Sequence, residues 1–380
     1  MKIFKLVFLI AFATICLVAP YKAYINYIPV YEIKIVDVKS GESINQVLAK
    51  FSSNTFINRL FTRALINFNN INNIQSGEYD IGNLSIKEII FKMRDGKTIT
   101  HKIKFLEGST IYDVEDLINN SFLVNDCSYL KCIKTNYPFK EGILYPDTYF
   151  YKKGMNASTI INKSHSRLIN FLEEIFKEES SNSLDKFQIL ILASIIEKEA
   201  GNDGEKTDIA DVFLKRLSIN MRLQADPTII YGLLPDFDGD IKKSDILNKN
   251  NKFNTYMIDG LPPTPISISS SSSINAARKS SPGEYLFFVA NSPTSHYFSK
   301  TYAEHLNKIK ELSGNNILNG SPDITFHRDD YRERLVIPNT FNPLDKLVLP
   351  ATLRVSLIIL APPTLNVVFK TLALSTLNVE

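Results

Sequence analysis

The sequence is short of the residues that metal and nucleotide chemistry need. Its 380 residues hold three cysteines and five histidines, and neither type recurs at zinc-ligand spacing. No G-x-x-x-x-G-K-[ST] loop and no G-x-G-x-x-G turn occurs, which removes the usual sequence marks of phosphate binding. No cofactor and no metal are therefore expected. Charge of one sign is equally scarce: 43 lysines and arginines face 40 aspartates and glutamates. A formal net charge of +3 is too small and too dispersed for a nucleic-acid footprint, so no nucleic-acid partner is expected. A convincing small-x-small cleavage site is missing after the N-terminal apolar run, and Ile15, not a small residue, precedes Cys16; both points weigh against a processed leader. What is there is an ordinary folded composition, 44% hydrophobic and 22% charged, on a chain long enough for two or three domains.

The N-terminus carries the compartment signal. Lys2 and Lys5 precede an apolar run from Leu6 to Pro20 that stays mostly apolar through Ile28. From Leu6 to Tyr27 the run has roughly the 20 residues needed to cross a bilayer. The lysines leave residues 1–5 in the cytoplasm, make 6–27 a signal-anchor, and send the chain after residue 30 outside. Cys16 then lies in the span, leaving Cys127 and Cys132 as the exported thiols. Their spacing suits a small disulfide loop, and two unrelated thiols in a variable loop is the equal alternative.

The next stretch, residues 31–104, reads as a small α+β module. Glu32 to Val38 alternates as a strand should. Ser43-x-x-Gln46 and Ser85-x-x-Glu88 are capping-box patterns, each ahead of an apolar helical run, the second ending at Gly96. Strand, turn and helix in this order are similar to LysM-like modules, which bind amino-sugar polymers. Thr110 is expected to cap a helix through Leu117, residues 158–178 to form an amphipathic helix, and 178–185 a polar loop. Ser267 to Ser273 reads as a solvated connector. After Leu312 the composition turns polar and then into a Leu- and Val-rich run broken at Pro362 and Pro363, so residues 313–380 are expected to be an appended, poorly ordered tail.

Chemistry concentrates at Leu190-Ile-Leu-Ala-Ser-Ile-Ile-Glu-Lys-Glu199-Ala-Gly. Ile189, Leu192, Ala193 and Ile196 recur at helical spacing and predict a buried stripe. Gly201 is expected in the left-handed position that stops a helix. Glu197 and Glu199 flank the stripe about 160° apart. A carboxyl there meets apolar neighbours and the negative end of the helix dipole, which favour its protonated form. Such a group can act as a general acid toward a glycosidic oxygen. Periodicity alone does not choose between the two. Downstream, Asp226 before Pro227 predicts an N-cap and the first helical position. Pro262, Pro263 and Pro265 rigidify an extended loop suited to the wall of a polymer-binding cleft.

These stretches together resemble the MltG (YceG-like) endolytic murein transglycosylases. The resemblance runs from the N-terminal anchor to about Leu312. It is carried by the Glu-Gly…Tyr-Pro-Asp-Thr-Tyr segment (141–149), Ser194-Ile-Ile-Glu-Lys-Glu199, Asn220-Met-Arg-Leu-Gln224, Asp226-Pro-Thr228, Asn254-Thr-Tyr256, Gly260-Leu-Pro-Pro263, and Tyr285 to Ala290 with His296-Tyr-Phe298 and Glu304-His305. It implies that Glu199 is the catalytic acid/base. It makes Gln224, Asp226, Asn254, Thr255 and Tyr256 substrate-binding cleft walls, in sugar contact or in support. His296 and His305 read as structural. Ala225, Thr264 and Ser269–Ser273 depart from the family pattern without removing the acid.

The expected architecture is therefore α+β: an N-terminal transmembrane helix, a LysM-like module at 31–104, and an α+β lytic-transglycosylase domain at 105–312. The resemblance implies a single-pass protein of the inner membrane whose catalytic domain lies in the periplasm. Its expected partners are peptidoglycan glycan strands, the membrane, and peptidoglycan synthases. The activity implied is cleavage of nascent strands between MurNAc and GlcNAc, leaving a 1,6-anhydro end and limiting strand length. The rival is a membrane-anchored glycan-binding scaffold that has lost catalysis.

Overall fold

A computed structural model describes residues 2–28, 32–53, 55–292 and 294–319. The described chain groups into two units, one formed by residues up to 214 with 261–283, the other by 215–260 with the chain from 284.

The first unit opens with α1 (Lys2–Asn26), which contains Pro20. Among the described residues no helix is long and apolar enough to cross a membrane. The last turns of α1 have a protein environment: Ile25 is buried with Leu48, Leu65, Ile71, Ile86 and Ile90, and Tyr21 and Tyr24 pack on the same cluster. Strands β1 (Ile35–Val38) and β2 (Gly77–Asp80) pair antiparallel, Ile35 opposite Asp80 and Val38 opposite Gly77. Between them come α2 (Ile44–Leu48) and α3 (Phe56–Phe68), and after them α4 (Ile86–Arg94). The expected capping boxes form at Ser43 with Gln46 and at Ser85 with Glu88. Helix α4 shows why one element can serve two clusters. Ile86 and Ile90, four residues apart, join the α1 cluster, while Ile89 and Met93 pack with Val36, Val38, Val47, Tyr79 and Ile81.

A second antiparallel pair, β3 (His101–Phe105) and β4 (Asp147–Tyr151), sets His101 opposite Tyr151 and Phe105 opposite Asp147. Glu78 of β2 ties the two pairs together, accepting from Lys153 Nζ at 2.9 Å and meeting His101 Nε2 at 2.8 Å. Helix α5 (Ile111–Asn119) is capped by Thr110, as expected. Cys127 and Cys132 form a disulfide. The amphipathic helix expected at 158–178 is α6 (Ala157–Ile175).

Helix α7 (Lys186–Glu199) departs from the striped pattern, because Ile189 to Ile196 are buried without a break. A helix apolar all round belongs inside a fold and not on its surface. After α8 (Lys206–Ser218) the first unit resumes at Leu261 and supplies the cover, in the extended segment 265–270 and in α11 (Ser271–Lys279), which packs along α7. The serine stretch expected to be a solvated connector is thus interior: Ser267, Ser269, Ser270 and Ser273 are all buried.

The second unit contains α9 (Asp226–Leu233), α10 (Lys243–Ile246), the antiparallel pair β5 (Phe287–Ser292) and β6 (Ser295–Ser299), and α12 (Tyr302–Asn319). Arg216 is buried there, donating to the carbonyls of Leu286 (2.8 Å) and Leu223 (2.6 Å). His305 stacks on Phe287, in keeping with a packing role. The tail boundary expected at Leu312 falls inside α12, which runs to Asn319; residues 320–380 lie outside the described residues.

Candidate functional site

Helix α7 delivers two carboxylates to one end. It begins at Asp185, whose side chain accepts from the amides of Phe187 and Gln188, with Gln188 completing a capping box. It ends differently from expectation. Ala200 is extended (φ −72°, ψ 127°), and Gly201 is not among the glycines with positive φ. The chain leaves in extended form into a short turn of 3-10 helix, Asp203–Glu205, capped by Asn202.

Glu197 and Glu199 sit in different surroundings. Glu197 Oε2 accepts from the Ser270 amide (2.8 Å), from Ser270 Oγ (2.5 Å) and from Ser273 Oγ (2.6 Å). Ser270 is the N-cap of α11, so the carboxylate closes the positive end of that helix dipole. Lys206 Nζ lies 3.3 Å from both Glu197 oxygens and is itself only 5% exposed. The same ammonium reaches Ser270 Oγ (2.9 Å), Ser272 Oγ (3.0 Å) and Asp203 (2.7 Å). Lys206, then Ser272, hold the Asp203 carboxyl below the usual range. In each of these contacts Glu197 is the acceptor. Glu197 thus clamps α7 to α11 and α8. Glu199, the last residue of α7, is half-buried with Oε1 inside the protein.

The motif segments of the first unit converge on this end. Segment 265–270 runs past α7, with the Ile266 amide donating to Ser194 Oγ at 2.9 Å. Ile268 exchanges backbone hydrogen bonds with Gly108 and Ser109, both at 2.8 Å, and Lys198 Nζ donates to the Gly108 carbonyl at 3.2 Å. Glu141 is buried and accepts from the Ile111 amide at the start of α5 (2.8 Å) and from the Gly142 amide (2.9 Å). Gly142 has φ +70°, and a Cβ there would stand 2.6 Å from Pro265 Cβ and 2.9 Å from the Ser267 carbonyl. Two segments more than a hundred residues apart therefore need a glycine where they meet. Elsewhere in this unit, a surface cavity of about 980 Å³ is lined by Tyr137, Lys140, His165, Leu172 and Lys186 among others, none of them from the segments around Glu197.

In the second unit the other candidate residues form one connected network. Asp226 was expected as an N-cap, but Ala225 holds that position and Asp226 is the first residue of α9. Its carboxylate is buried and accepts from Tyr256 Oη at 2.5 Å. Thr255 accepts the Ala225 amide through Oγ1 (2.9 Å) and the Gln224 amide through its carbonyl (3.2 Å). Gln224 itself holds φ +51°, an uncommon backbone state for a residue with a side chain. Asn254 Nδ2 donates to the carbonyls of Asp245, Ile246 and Asn248, while its Oδ1 accepts the Tyr256 amide. Asn254, Thr255 and Tyr256 are all essentially inaccessible to solvent. Sequence reasoning found these residues as a group but missed Lys206, Ser270 and Ser273. Their only local signal is Ser270 at a helix start; Glu197 is 73 residues from Ser270 and 76 from Ser273, and Lys206, nine residues on, lies in the next helix.

A family model described as the YceG-like family matches residues 36–311. An endolytic murein transglycosylase of Bacillus subtilis is 27% identical over 303 residues, covering 73% of this chain and 83% of that protein. The endolytic murein transglycosylase of Streptococcus pneumoniae serotype 2 is 26% identical over 175 residues, covering 45% of this chain and 32% of the relative. A YceG-like protein of Listeria monocytogenes, known from a crystal structure, shares 30% identity over 72% of this chain and 97% of its own, with a TM-score of 0.47. Because the family match spans well over half of its 380 residues, the chain belongs to the YceG-like family.

Proposed function

We propose that this protein is an endolytic peptidoglycan lytic transglycosylase with Glu199 as its single acid/base. The observation that carries the choice of residue is the engagement of Glu197 by Lys206, Ser270 and Ser273. A carboxylate whose oxygens are already taken up by an ammonium, a backbone amide and two hydroxyls has little left to offer a substrate oxygen. Glu199, two residues on at the end of the same rigid helix, is left for the proton. The name endolytic murein transglycosylase, borne by relatives in two genera, supports the reaction class.

In this reading Glu199-COOH protonates the oxygen bridging MurNAc and GlcNAc as the C1–O bond breaks through an oxocarbenium-like state. Glu199, now a carboxylate, takes the proton from the MurNAc C6 hydroxyl, whose oxygen bonds to C1. The product is a 1,6-anhydro end, no water is consumed, and one carboxyl serves both proton transfers. Asp226, Asn254, Thr255 and Tyr256 are assigned to support. Thr255 braces the chain at Ala225, next to the buried Gln224, Tyr256 holds Asp226, and Asn254 holds the carbonyls of residues 245, 246 and 248; Gln224 is assigned to the same wall.

The finer parts of the reading rest on sequence. Lys2, Lys5 and the apolar run behind them support a single-pass inner-membrane anchor with the enzyme in the periplasm. The β1–β2 pair with its two intervening helices supports a LysM-like glycan-binding module. Anchoring beside newly made strands would raise local concentration, suit a role in limiting strand length, and make peptidoglycan synthases natural partners. Mass spectrometry of glycan strands digested by the purified protein tests the proposal. Internal cleavage with 1,6-anhydro ends is the expected result; reducing ends, or no cleavage, would refute it.

A further inference from the structure

Helix α3 carries an apolar face that the protein does not cover. Phe56, Ile57, Leu60 and Phe68 are exposed, Phe56 at 74% and Phe68 at 78%. By helical geometry they share an arc of about 120°. The adjoining arc is used internally: Thr62 and Leu65 are buried, and Phe61 packs on Tyr21 and Tyr24 of α1, with ring centroids 5.8 and 5.9 Å apart. The two arcs are continuous, since the exposed Phe68 also meets the edge of Tyr21, at 6.4 Å. Tyr24 Oη and Thr62 Oγ1 lie 3.0 Å apart and fix the contact between the helices. Arg59 and Arg63 are exposed along the edge of that arc, about 60° and 20° beyond Phe56, and Lys22 is exposed on α1 beside Tyr21.

Length identifies what covers this face. The docked end of α1 begins at Tyr21, so the apolar run before it, from Leu6 to Pro20, has about 15 residues, or about 22 Å of helix. A bilayer core is about 30 Å thick. Val7, Phe12, Ile15, Leu17 and Val18 in that run all project away from the protein. If the run is placed in a membrane from Leu6, Tyr27 comes to the headgroup level, where tyrosine is favoured, and Tyr21 lies about 8 Å beneath it, at the depth an interfacial helix occupies. Helix α3 is bound to Tyr21 and arrives at the same depth. A helix with exposed Phe, Ile and Leu on one arc and arginines along the edge of that arc, able to reach up to anionic headgroups, is what an anionic interface takes up.

We propose that α3 is an interfacial membrane helix, lying in the headgroup region beside α1 and setting the docked module flush against the bilayer. The inference rests on the membrane-anchored reading of α1. Its consequence is that α1 and α3 grip the membrane together, so the module is seated at a fixed height and not tethered on a free stalk.

The chain has no tryptophan, so a single introduced indole reports cleanly. Full-length Leu60→Trp, Phe68→Trp, Phe12→Trp and Phe150→Trp proteins would be reconstituted in phosphatidylethanolamine/phosphatidylglycerol vesicles, with and without lipids brominated near the headgroup end of the acyl chains. Leu60→Trp and Phe68→Trp should show blue-shifted emission and lose intensity with the brominated lipids. Phe150→Trp, on an exposed position of β4, should not. Quenching of Phe12→Trp without quenching at positions 60 and 68 would overturn the inference and leave the anchor standing. No quenching at position 12 would remove the anchor and the inference with it. Blue-shifted emission at 60 and 68 that ignores bromine would place protein, such as a second copy of the chain, on the face and overturn the lipid assignment.

Discussion

Replacing Glu197 with Gln separates the two carboxylates most directly. The amide keeps the shape and can still accept from the Ser270 amide, but it removes the charge facing Lys206, whose side chain is 7% exposed. It also turns an NH2 group toward donors, since the partners of both Glu197 oxygens are N–H or O–H groups. Breaking one side of a buried ion pair costs about 3–5 kcal/mol. Asp203 stays 2.7 Å from Lys206 and retains part of the compensation, so about 2–4 kcal/mol is the expected loss. For a unit of this size about 3 kcal/mol lowers Tm by about 6–12 °C. Thermal and urea unfolding of the purified variant measure this directly, and digestion below its melting point should still yield anhydro ends. A Glu197→Gln protein that melts like the wild type, or that is folded and devoid of cleavage, would refute the clamp and reverse the roles of the two residues.

Other outcomes follow from the same geometry. Glu199→Gln should keep its fold and lose cleavage by about 10²-fold or more, because the amide cannot deliver the proton; unaltered anhydro-product formation would remove Glu199 from the mechanism. Burial alone would push the Glu78 carboxyl up, but hydrogen bonds from Lys153 and His101 outweigh it and hold the group below its ordinary 4.5. A lowered folded-state pKa adds stability that is present above 4.5 and is lost as pH falls through the folded value. Urea titrations should therefore show Glu78→Gln flattening this acid-side fall and weakening the neutral-pH fold. Gly142→Ala should destabilise by about 2–4 kcal/mol, since φ +70° and the Ser267 carbonyl at 2.9 Å leave no room for a methyl group; a melting curve like that of the wild type would show that the 265–267 segment can move aside.

Local patterns were legible wherever both partners lie within one turn of chain. Ser43 with Gln46, Ser85 with Glu88, and Thr110 with Asp113 all close as capping boxes, because helix starts satisfy their own amides over three residues. The ordered motifs from 141 to 305 likewise sufficed for the family. Where partners are distant the sequence had no voice. It read Ile189–Ile196 as a striped helix and the serines after 266 as solvent-facing, because only the packed structure wraps α11 and the 265–270 segment around α7. It read Asp226 as a cap by its position before Pro227, while the fold spends that carboxylate on Tyr256, thirty residues on. Gly201 looked like a left-handed stop, yet the chain leaves α7 extended at Ala200. Sequence alone determined that an acid stands at the end of this helix. Tertiary structure decided what surrounds its neighbour, because an ion pair between Glu197, Lys206 and a helix start 73 residues away exists only once those elements are packed.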